Sequence, residues 1–139
     1  MKKLAYGLAC FAVAVSAHAQ DNKQLFVTVD SANTMSQGAA MVLAGQAIEQ
    51  KASVRVLLCG AGGDLAVQGQ AGETLKPKNV TPQDMLKGLI KSGATVEVCA
   101  LFLPNKGLKP EALVAGVKPA KPAEVAAHIL KPGVKVLSF

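Results

Sequence analysis

The sequence predicts an α/β protein: a three-layer α/β/α sandwich around a mostly parallel, five-stranded sheet. Three observations carry that prediction. Short apolar, β-branched runs recur along the chain, stretches of helical periodicity separate them, and Gly, Pro and Asn punctuate the boundaries. Strands that alternate with helices of this length build parallel sheets covered on both faces.

The chain opens with basic Met1–Lys3, an apolar run Leu4–Ala17 and the small-residue pattern Ala17-His18-Ala19. This is the layout of a secretory signal peptide cleaved after Ala19, and the apolar run is too short to span a bilayer. The expectation is a periplasmic or secreted protein with no membrane attachment once the leader is removed. Residues 20–139 then form a single domain, a length that supports one core.

Gln24–Asp30 (QLFVTVD) reads as the first strand and Ser31–Gly38 as a polar loop. Ala39–Gln50 is a helix with Ala40, Leu43 and Ala47 in register and Ile48 widening the stripe. Ser53–Cys59 (SVRVLLC) is the second strand, running into Gly60-Ala61-Gly62-Gly63, and Leu65–Val80 is a long irregular connection. Thr81-Pro82-Gln83-Asp84 starts a helix, with Thr81 as cap, Pro82 at its first position and Asp84 answering free N–H groups. Its apolar face is Met85, Leu86, Leu89 and Ile90, and Gly93 closes it. Ala94–Leu103 reads as the third strand, stopped by Pro104, with a short fourth strand around Leu113–Val117. Pro122 and Glu124 open a last helix through Leu130, on whose surface Glu124 and His128 form an exposed pair. Pro132-Gly133 turns the chain into the final strand, Val134–Phe139.

Charge excludes some functions. The formal +6 falls to +4 when Lys2 and Lys3 leave with the signal, and Arg55 is the only arginine. No basic cluster and no Trp or Tyr remains after residue 19, so neither phosphate tracking nor base stacking by nucleic acid is expected. The glycine loop lacks the dinucleotide fingerprint, which needs glycine where Leu65 stands, and no G-K-[ST] follows; it reads as a tight turn. Cys59, Cys99 and His128 lack metal-ligand spacing, so no metal and no cofactor is expected.

Cys99 is the candidate for chemistry. It lies toward the C-terminal end of the third strand, where open parallel sheets place ligands and reactive groups. A thiolate there is favoured by nearby positive charge, and Lys106 follows seven residues later. The alternative is a small buried hydrophobe, the usual fate of a free cysteine. Cys59 ends the second strand at the same sheet edge. If the two strands are neighbours a disulfide is within reach; if another strand separates them, Cys59 is packing. Asp30 also faces that edge, either capping the following loop or lining a shared pocket with Gly60.

Taken in order, VTVD (27–30), the Ala-rich first helix, VLLCGAGGD (56–64), GLIKSGATVEVC (88–99), Lys106-Gly107 and the closing VKVLSF form a pattern. That pattern resembles the DsrE/DsrF-like family of small sulfur-relay proteins along nearly the whole mature chain. The resemblance implies Cys99 as sulfur acceptor, carrying a persulfide between donor and recipient proteins, with Lys106 as thiolate stabiliser. It also implies a homo-oligomer or an assembly with related subunits, and a carrier rather than a turnover enzyme. The export signal departs from a relay that works in the cytoplasm. Two other functions therefore stand beside the carrier: a non-enzymatic binding or assembly module that keeps the fold, and a redox protein using the Cys59/Cys99 pair.

Overall fold

A computed structural model describes residues 23–139; the signal peptide assigned to residues 1–19 and its cleavage site lie outside the described residues. Five parallel strands form one sheet in the order β4-β3-β2-β1-β5: β1 (Gln24–Val29), β2 (Ser53–Leu58), β3 (Thr95–Val98), β4 (Val117–Pro119) and β5 (Val134–Ser138). The helices are α1 (Thr34–Glu49), α2 (Pro82–Lys91), α3 (Phe102–Lys106) and α4 (Pro122–Ile129), with 3₁₀ turns at Gly60–Ala66 and Pro110–Ala112. The predicted α/β sandwich is the observed one, and its sheet is wholly parallel.

Handedness places the layers. Right-handed crossovers from β1 to β2 and from β2 to β3 step the same way, which puts α1 and α2 on one face. The connection from β4 to β5 steps back across the sheet, so α4 lies on the opposite face. Alternation along the strands matches. Val27, Val29, Val54, Val56, Val96 and Val98 are buried in one cluster with Met41, Ala44, Leu86 and Leu89 of the two helices.

The α4 face is built differently. Arg55 and Glu97 point to it from adjacent strands, and Arg55 Nε and Nη2 both donate to Glu97 Oε2, at 2.7 and 2.6 Å. Glu97 is 2% exposed and the Arg55 side chain 14%, so this ion pair is nearly dry. Arg55 Nη1 also donates to the carbonyl of Glu124, tying α4 down (3.3 Å). Beside it the His128 ring leans on Phe26, centroids 5.8 Å apart, with its Nε2 buried and unpartnered. Burial, then the charges of Arg55 and Lys131, lower the His128 pKa from its ordinary 6.5.

Four expectations change. Helix α1 starts at Thr34, because the Asn33 side chain accepts from Ser36 N (3.0 Å) and caps what read as a loop. Its buried face consequently runs through Gln37, Gly38, Ala40, Met41 and Ala44, leaving Leu43 exposed. The apolar run 94–103 is divided: β3 stops at Val98 and α3 begins at Phe102. Pro104 therefore does not stop the strand; it sits in the first turn of α3, where a missing N–H leaves no helical bond unmade. Strand β4 forms at Val117–Pro119 instead of 113–117. Glu124 pairs with Lys121 (2.9 Å) rather than with His128. The Thr81 cap, by contrast, is a full capping box with Asp84, as its sequence indicates.

Candidate functional site

The register of β2 and β3 builds the site. Leu58 is paired with Val98, so the next residues, Cys59 and Cys99, leave the sheet side by side. The backbone ladder continues past both: Cys59 N donates to Val29 O (3.0 Å) and Cys99 N to Leu58 O (2.8 Å). By strand alternation both follow the parity of Leu57 and Glu97, away from the face covered by α1 and α2. The condition set by the sequence is thus met, since their strands are neighbours. Adjacent strands lie about 4.8 Å apart, inside the Cα separation of about 4.4–6.8 Å that a disulfide spans. Both thiols are free and partly buried in this structure.

The two sulfurs are not equivalent. Cys59 has its thiol pKa pushed up to about 12, first by burial, then by a hydrogen bond with Cys99, then by the negative charges of Cys99 and Asp30. Cys59 is therefore the thiol that keeps its proton. Cys99 instead lines an open pocket of about 380 Å³ with Gly60, Leu101, Phe102, Asn105 and Lys106.

The walls of this pocket come from two loops held tightly. After Cys59 the chain turns through Gly60, whose φ of +50° suits glycine. Gly62 N donates to Asp30 O (3.1 Å) and Gly63 N to Cys59 O (3.0 Å). A Cβ on Gly62 would collide with the Val29 carbonyl, and one on Gly63 with the Phe102 ring. The glycine loop is a close-approach turn, as its failed nucleotide pattern indicated. After Cys99, Phe102 N donates to Cys99 O (2.9 Å), and Asn105 Nδ2 reaches back to Leu101 O (2.7 Å). Lys106 sits over the Phe102 ring at 5.5 Å, and its Nζ pairs with Asp64 Oδ1 at 2.9 Å. The charge that lines the pocket is thus shared with a carboxylate from the glycine loop.

Asp30 lies beside Cys59 but is not among the residues that line the pocket, and the cap of the following loop is Asn33. Leu101 and Phe102 were missed because their segment read as strand, and Asn105 because it lies past Pro104, which read as the end of that strand. Gln83 was missed too. It is 2% exposed and its amide donates to the carbonyls of Leu65 (3.0 Å) and Val67 (2.7 Å), fastening the far end of the glycine turn. Its position three residues before Leu86, on the buried face of α2, is the signal that could have found it. Among the described residues no three His, Cys, Asp or Glu side chains gather as a metal site.

Cys99 stands at the carboxyl edge of the sheet, between the loops after β2 and β3, where α/β proteins place ligands. These features define a parallel-sheet domain with a pair of thiols on its carboxyl edge. No family model and no curated protein matches the sequence. Solved structures do match. YchN from Escherichia coli superposes with a TM-score of 0.69 at 22% identity, over 85% of this chain and 99% of that one. BT1422 from Bacteroides thetaiotaomicron, a conserved protein of unknown function, gives 0.64 at 18% identity over 85% and 96%. MTH1491 from Methanobacterium thermoautotrophicum, also of unknown function, gives 0.61 at 10% identity over 84% and 99%. The chain shares their fold.

Proposed function

We propose that this protein is an exported sulfur carrier in which Cys99 accepts sulfane sulfur as a persulfide. Support comes above all from the placement of Cys99 in an open pocket at the carboxyl edge of the sheet, between the loops after β2 and β3. The Cys99 thiolate attacks the outer sulfur of a donor persulfide; the donor leaves as a thiolate, and Cys99 holds the transferred sulfur. Delivery to an acceptor thiol is the same exchange in reverse. Lys106, within the same pocket, favours the anionic forms on either side of the exchange. The signal-like layout of residues 1–19 supports a periplasmic or secreted location, and the resemblance supports a carrier that works as an oligomer with itself or related subunits.

The test is intact-mass measurement after a pulse of sodium tetrasulfide. The wild type gains about 32 Da, one sulfur atom, and Cys99→Ser gains none. A wild type that stays unmodified, while its thiols still react with an alkylating agent, overturns the carrier. A second function, a binding module that has kept the fold, is favoured by one feature. Met35 (70% exposed), Val42 and Leu43 present apolar surface along α1 beside the Leu75–Val80 segment. It predicts that Cys99→Ser leaves the cellular role intact.

A further inference from the structure

Cys59 has no task in a carrier that uses Cys99 alone, yet the register sets it directly beside Cys99 on the neighbouring strand. Three further observations bear on it. The main chain holds Cys59 on both sides, by its own N–H to Val29 and by its carbonyl from Gly63. Its thiol is held protonated, first by burial and then by the neighbouring Cys99. It lies outside the residues lining the open pocket, so a donor arriving there meets Cys99 first.

We propose that Cys59 is a resolving thiol that releases the sulfur held on Cys99 when no acceptor takes it. This rests on the carrier reading of Cys99. The Cys59 sulfur attacks the inner sulfur of the Cys99 persulfide. The Cys59–Cys99 bond forms, the bond between the Cys99 sulfur and the outer sulfur breaks, and the electron pair leaves with the outer sulfur. The proton of Cys59 accompanies it, so the product is hydrogen sulfide. The two cysteines are oxidised to a disulfide, and the outer sulfur is reduced to sulfide. An external dithiol restores both thiols for another cycle.

The arrangement gives an order of events. Before sulfur arrives Cys59 keeps its proton, chiefly because it is buried. It does not compete for the incoming sulfur. Attack needs little backbone movement, since the strand spacing already suits a disulfide.

The experiment loads the purified protein with a short pulse of sodium tetrasulfide, removes small molecules by gel filtration, and follows intact mass and free sulfide. In the wild type the adduct of about 32 Da decays to a species about 2 Da below the reduced protein, with about one sulfide released per chain. Cys59→Ser and Cys59→Ala both load, keep the adduct, and release sulfide at least roughly tenfold more slowly. An adduct that persists in the wild type as long as in both variants overturns the resolving role and leaves the carrier standing. Disulfide formation without an equivalent of sulfide overturns it as well. Failure of the wild type and both variants to load, with alkylatable thiols, overturns the carrier itself and the resolving role with it.

Discussion

Replacing Arg55 by methionine tests the physics of the α4 face. Glu97 is 2% exposed, and both hydrogen bonds to its Oε2 come from Arg55, at 2.7 and 2.6 Å. The substitution leaves a carboxylate in the middle strand region without its counter-ion, and loss of one partner of a buried pair costs about 3–5 kcal/mol. It also removes the contact from Arg55 to the Glu124 carbonyl that anchors α4. Removing both charges, as in Arg55→Met with Glu97→Leu, leaves no orphan, so the double variant regains most of the loss. Urea unfolding is the assay. With a slope of about 2 kcal/mol per molar, a loss of 4 kcal/mol lowers the midpoint by about 2 M. A single variant within about 1 kcal/mol of wild type refutes the nearly dry pair, and so does a double variant less stable than the single one.

Two more predictions concern the same framework. Gln83→Ala strips the carbonyls of Leu65 and Val67 of a buried donor and leaves a cavity; a loss of about 2–4 kcal/mol is expected in the same urea assay. His128 has a folded-state pKa below its ordinary 6.5, so the unfolded chain takes up the proton first. Stability is therefore level above about pH 6.5 and falls as the pH drops through and below that value. Midpoints measured at pH 7.5 and 5.5 should show that His128→Leu loses less over the interval than wild type.

What the sequence revealed followed local chemistry. The strands QLFVTV and SVRVLL read correctly because their β-branched alternation is uninterrupted, and α2 because Thr81, Pro82 and Asp84 state its start. The start of α1 was hidden by Ser31, Asn33 and Gly38: polar and small residues that suit a loop equally cap and line this helix. The run 94–103 was ambiguous because a short apolar segment fits strand or helix, and Pro104 marks a stop only after the first turn.

The site was legible in its parts and not in its assembly. Cys59 and Cys99 could each be placed at a strand end from the sequence, but the order β4-β3-β2-β1-β5 depends on contacts between distant segments. The same holds for Arg55 and Glu97. Alternation puts each opposite its valine neighbours, and only the register brings them together.

The central claim is that Cys99 is where sulfur lands. Peptide-level mass mapping, after the tetrasulfide pulse and immediate alkylation, locates the added atom of about 32 Da directly. The account predicts it on the peptide carrying Cys99, in wild type and in Cys59→Ser alike. Sulfur found on Cys59, or on neither cysteine while both alkylate normally, would contradict it.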